Sequence, residues 1–178
     1  MSTLFVNNLN SASGSTITVP TGKTLVGTDE GSFRVPGTIL QVVSSTTTVA
    51  DGTTSTSSTS FVDINPLTTQ ITPKSSSSKI LVRCILSYGA HDNDYNHEGR
   101  VIEDSTQVLR FHLRHEGGAA NNVEETVGEI LRSPNTTSQL TYKVQLKVEG
   151  SATVYLNRRR TDSTYTGQCT LTLMEVAQ

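Results

Sequence analysis

The sequence predicts an all-β protein: an antiparallel two-sheet sandwich, jelly-roll-like, carrying an extended N-terminal arm. Three observations predict it. Ser and Thr supply 49 of the 178 residues (21 Ser and 28 Thr), and with plentiful Val and little Ala this composition favours strands over helices. From residue 61 onward apolar and polar residues alternate with period two, segment after segment, which is the pattern of strands with one wet face. Before residue 38 no alternation is long enough to build a core.

Within residues 1–36, Asn7-Asn8, Ser11 to Ser15, Pro20-Thr21-Gly22 and Val35-Pro36-Gly37 read as turns. Between them lie strand fragments at 4–6, 16–19 and 24–26, each too short to repay its own ordering entropy. Residues 1–36 therefore read as an anchoring and assembly arm. Its apolar residues Leu4, Phe5, Val6, Ile17, Val19, Leu25 and Val26 are expected to order on another chain or subunit. Residues 37–60 open with a strand at 38–43 and continue almost wholly in Ser, Thr and Gly, either as a flexible linker or as an edge strand with wet Thr hydroxyls.

Residues 61–178 read as the sandwich head. Ile80, Val82, Cys84, Leu86 and Tyr88 share one strand face. Leu109, Phe111 and Leu113 share another, with Arg110, His112 and Arg114 opposite. Leu140 to Val148, Val154 to Arg158 and Cys169 to Leu173 alternate in the same way, and shorter runs at 61–64, 67–72 and 126–132 bring the total to about eight strands. Residues 123–131 also fit a short helix, because Val123, Val127, Ile130 and Leu131 recur at helical spacing; Gly128 weakens that reading.

Composition excludes several functions. Lys+Arg 14 against Asp+Glu 16 gives a net charge of −2, so no basic field exists for nucleic acid or an anionic membrane. No apolar run approaches the ~20 residues that cross a bilayer. Residues 1–14 hold no Lys or Arg and do not read as a secretory signal. Two cysteines without a CxxC argue against a zinc site or a disulfide scaffold; Cys84 and Cys169 read as buried thiols able to pair if their strands meet.

The most chemical stretch is 88–103, YGAHDNDYNHEGRVIE. Asp92, Asp94, Asn96 and Glu103 stand at positions 1, 3, 5 and 12 of a calcium-loop spacing, but His97 holds the position that wants Gly and no helix precedes. The plainer reading is a polar hairpin loop whose side chains cap backbone donors. His91 and His97 with Asp92, Asp94 and Glu98 form a weaker transition-metal set. As a recognition loop, the segment offers Asp92, Asp94, Tyr95, His97 and Arg100 to a polyol in a shallow site. Arg158-Arg159-Arg160 reads as a solvated strand end, and Arg110 with His112 as an exposed polar face or a contact. No catalytic motif stands out, so the chain reads as non-enzymatic and without a cofactor, calcium apart.

Several segments are familiar: LFVNNLNSASGSTITVPTGKTLVG, VPGTILQVVSSTTT, SFVDI, LTTQITPKSSSSKILV, SPNTTSQLTYKVQLKV, ATVYLNRR and TLTLMEVAQ. On these the chain resembles small tail-fibre-like virion structural proteins of tailed bacteriophages, of the cyanophage and other aquatic phage type. The resemblance covers most of the chain and departs at 88–125. It implies a homotrimer assembled in the host cytoplasm, in contact with other virion proteins (tail, baseplate or major capsid), and it carries over no catalytic residue. A fibre or spike tip binding a host-surface glycan or protein is the leading expectation, a capsid decoration protein the alternative, and a glycan-degrading spike the third.

Overall fold

In the computed structural model, residues 18–27, 35–51, 54–90, 96–114 and 122–178 are described. The chain divides into two compact units, Met1–Phe33 and Arg34–Gln178.

In the first unit the described residues make one turn, where the Lys23 N–H donates to the Pro20 carbonyl at 3.0 Å and Gly22 takes φ +77°. Residues 18–19 and 24–26 are not in strands, contrary to expectation. Val19, Leu25 and Val26 are 46%, 60% and 71% exposed. Leu4, Phe5, Val6 and Ile17 lie outside the described residues.

Among its described residues the second unit carries ten strands: β1 (Ile39–Thr47), β2 (Ser55–Thr56), β3 (Val62–Ile71), β4 (Lys79–Ala90), β5 (Asn96–Glu103), β6 (Thr106–Arg114), β7 (Glu124–Arg132), β8 (Leu140–Lys147), β9 (Val154–Leu156) and β10 (Cys169–Val176). They form two antiparallel sheets, so the all-β sandwich is the fold. One sheet runs β1-β10-β4-β9-β2, with β7 also paired to β4; the other runs β3-β8-β5-β6. Strand β4 organises the first sheet. It is paired by β10 over residues 79–85, by β9 over 88–90, and by β7 over 80–88.

Alternation explains the layers. Ile80, Val82, Cys84 and Leu86 from β4, Leu171 and Leu173 from β10, and Tyr142, Val144 and Leu146 from β8 are all buried in one core cluster between the sheets. Each large apolar side chain removed from water contributes about 1.5–3 kcal/mol, and this shared core joins the two sheets. The 123–131 segment is strand from Glu124 on rather than helix, because β7 pairs with β4 from Glu124 to Arg132 and turns Gly128 inward under Leu109 and Phe111. The Ser/Thr-rich segment is strand in part: β1 runs to Thr47 along β10, and β2 pairs with β9. A 3-10 turn at Val49–Asp51 separates them. The runs at 61–64 and 67–72 are one strand, β3, whose pairing with β8 shifts register between Asp63 and Thr68, around Pro66, which has no N–H for the ladder.

The strand that sequence reading missed is β5. Residues 96–103 are not loop; they pair with β6 on one side and β8 on the other. Cys84 and Cys169 are buried free thiols on neighbouring strands but not opposite one another, since Cys84 faces Leu171 across the β4–β10 pair. The Cys169 Sγ instead donates to the Ser87 carbonyl and accepts from the Ser87 N–H, both at 3.3 Å, and burial pushes its thiol up to about 11.

Candidate functional site

Strand β5 decides where the predicted recognition residues go. Successive side chains point to opposite faces. His97, Gly99 and Val101 are turned into the protein, and His97 is fully buried, so it is not part of an exposed binding surface. Asn96, Glu98 and Arg100 lie on the outer face. Asp92, Asp94 and Tyr95, and His91 of the metal reading, fall outside the described residues.

The calcium set is not brought together. Asn96 and Glu103 stand at the two ends of β5, and seven extended steps separate them by ~23 Å. Glu103 is already engaged: its carboxylate accepts from the Tyr142 hydroxyl and from the Arg132 guanidinium, the latter at 3.4 Å. Burial and this carboxylate together push the Tyr142 hydroxyl well above its ordinary range.

On the outer face of the four-stranded sheet the polar side chains form a continuous network. Glu98 takes the Arg110 guanidinium on one oxygen and the Lys147 ammonium, 3.1 Å away, on the other. The Arg110 hydrogen bond, with Lys147 beside it, holds the Glu98 carboxyl below its ordinary value. Arg100 donates from Nε to Gln145 Oε1 at 2.7 Å and lies 3.9 Å over the Phe61 ring, which Lys147 also approaches at 5.0 Å. Gln145 and Lys143 then donate to Asp63 at 2.6 and 2.9 Å, and these two bonds hold Asp63 low. Register accounts for the arrangement, since Glu98 sits directly opposite His112 on β6 and Lys147 on β8.

At one end of this face lies an open groove of about 600 Å³ lined by Thr59, Asn96, Glu98, His112, Lys147 and the 148–150 turn. The Asn96 N–H donates to the Glu149 carboxylate at 2.8 Å, which ties the start of β5 to that turn. The groove offers carboxylates, an imidazole, an ammonium and an amide in one shallow surface. That set suits hydrogen bonding to a polyhydroxylated or mixed-charge ligand.

Lys147, Glu149 and Thr59 were not singled out from sequence, although alternation through 140–149 places Lys147 on the wet face. The arginine run also differs from a solvated tip. Arg158 lies 4.3 Å over the Tyr155 ring, while Arg159 grips Asp162 with two bonds of 2.7 and 2.6 Å and lies 4.8 Å from the Tyr165 ring centre. Arg159, Tyr165 and Thr166, with residues 122–124, line a second groove of about 560 Å³. Among the described residues no group of three or more His, Cys, Asp or Glu is placed to hold a metal ion.

No protein-family model and no curated protein matches the chain. Among solved structures it is similar to the VP2 subviral particle of infectious bursal disease virus, with a TM-score of 0.43 and 10% identity over 88% of this chain and 42% of that one. The chain thus matches less than half the length of that protein.

Proposed function

We propose that the protein is a non-enzymatic structural component of a bacteriophage particle, assembled from several copies, with residues 1–33 anchoring it and the sandwich displayed. The leading role is host-surface recognition at a tail fibre or spike tip, through the outer face of the four-stranded sheet. One observation carries this reading: the Asn96–Glu98–His112–Lys147 groove is open, polar and built on paired strands. Recognition surfaces of this kind tolerate change because the core beneath them is independent. Asn96, the first residue of β5, lines this groove. A capsid decoration protein is the second reading, favoured by the exposed apolar residues Val19, Leu25 and Val26 of the first unit, which suit a shell-bound arm.

Replacing His112 and Lys147 together by Ala is expected to leave the melting temperature within a few degrees and to lower adsorption of particles to host cells at least tenfold. Unchanged adsorption, with the protein located on the capsid shell by electron microscopy, would move the assignment to decoration.

A further inference from the structure

The outer face of the larger sheet is unlike that of the smaller one. Cross-strand register lays its side chains out in rows. One row is Val42, Met174, Leu81 and Leu131, across β1, β10, β4 and β7. The next is Ser44, Thr172, Arg83 and Glu129, and the third is Thr46, Thr170, Ile85 and Val127. Val42, Leu131 and Val127 are 54%, 49% and 55% exposed. Arg83 and Glu129 lie 3.9 Å apart with side chains 48% and 51% exposed, so their row is neutral as a whole, and Lys79, beside Val176, is balanced on the same face by Glu125, beside Ser87.

A face with no net charge does not select a cationic or an anionic partner. It does match itself. A two-fold axis parallel to the strands, midway between β10 and β4, lays β10 over the partner's β4 and β1 over the partner's β7. Under that operation Val42 meets Leu131 and Met174 meets Leu81. Thr46 and Thr170 set their methyl groups on Val127 and Ile85. Ser44 and Thr172, which already share a hydrogen bond of 3.0 Å, reach Glu129 and Arg83. Apolar rows fall on apolar rows, hydroxyls fall on charges, and no like charges are apposed. Isologous contacts require this self-complementarity.

We infer that this face is a contact between two copies of the chain, related by a two-fold axis along the strands. Four strands at ~4.8 Å and eight residues at ~3.3 Å make a face of roughly 500 Å² per copy. Two such faces bury on the order of 1,000 Å², at the lower bound of specific interfaces. The inference deepens the reading of a multi-copy assembly and rests on it only in expecting copies to meet.

The test uses the full chain and two variants, Val42→Lys and Leu131→Glu, in sedimentation at tens of micromolar. Residues 42 and 131 lie three strands apart within one chain, so they do not pair internally. Each variant alone buries unpaired charges and is expected to associate at least tenfold more weakly than the wild type. Mixed in equal amounts, the two are expected to recover association. One contact then sets the introduced ammonium at position 42 against the introduced carboxylate at position 131, and the other keeps Leu131 against Val42. Circular dichroism confirms that each variant is folded; if one is not, Val42→Glu with Leu131→Lys repeats the test with the signs exchanged. A wild type that sediments as one chain overturns the inference. So does an assembly that both variants leave unchanged, which would keep the multi-copy reading while removing this contact from it. Failure of the mixture to recover overturns the proposed register.

Discussion

At the scale of single residues the fold is least forgiving where glycine lets another side chain in. Gly99 faces inward on β5, and a Cβ there would lie 2.0 Å from Cε2 of the Phe111 ring. Phe111 has little room to retreat, since it is buried and also packs over Gly128, where an added Cβ would meet Leu109 at 2.7 Å and Phe111 at 3.1 Å. Gly99→Ala is therefore expected to destabilise by about 2 kcal/mol, the usual cost of overpacking a filled core. For a domain of this size that lowers the melting temperature by roughly 4–8 °C, measurable by thermal unfolding. Adding Phe111→Leu should return part of the loss. The sequence contains both residues but not their apposition, which depends on the β5–β6 register; periodicity put Phe111 on a strand face but could not set it over Gly99.

At the scale of elements, legibility followed alternation. β4, β8 and β10 were readable because their apolar faces are continuous. β5 was not, because Asn96, His97 and Glu98 share the composition of the polar residues before them, and a buried His in place of an aliphatic residue hides the period. Counting Val101, Gly99 and His97 as one face would have found the strand. The same strand yields a pH prediction through its cross-strand pairs. Glu98 titrates below its ordinary 4.5 in the folded state, chiefly because Arg110 hydrogen-bonds it. A carboxyl depressed on folding adds stability that is complete above its unfolded value and is lost as pH falls through the folded one. Arg110→Ala is thus expected to lower stability at pH 7 and to flatten the decline below pH 4.5, because less depression remains to be lost. Urea titrations at pH 7, 4.5 and 3 read the difference. A parallel curve for variant and wild type would show that Arg110 contributes nothing to the acid dependence.

At the scale of the whole molecule, all members of the core cluster belong to residues 34–178, so the sandwich carries its own stabilisation. The start of that unit is fixed by four bonds: Thr38 donates from both N–H and Oγ1 to the Val35 carbonyl at 3.0 and 2.7 Å, the Gly37 N–H donates to the Ala177 carbonyl at 2.8 Å, and the Ala177 N–H donates to the Thr38 carbonyl at 2.9 Å. A truncation that respects this boundary removes residues 1–33 and leaves the turn. It is expected to melt within a few degrees of the full chain. A truncation to residue 38 also removes the 35–38 turn and the bond to Ala177, and is expected to cost a further 1–2 kcal/mol, at about 1 kcal/mol net for each backbone hydrogen bond lost. Both truncated forms should fail to enter particles if residues 1–33 hold the protein in place, because the apolar residues Leu4, Phe5, Val6, Ile17, Val19, Leu25 and Val26 go with them. Complementation of a phage lacking the gene, followed by protein analysis of purified particles, measures incorporation directly. Normal incorporation of the 34–178 form would transfer the anchoring role to the sandwich, where the outer face of the larger sheet offers an apolar surface.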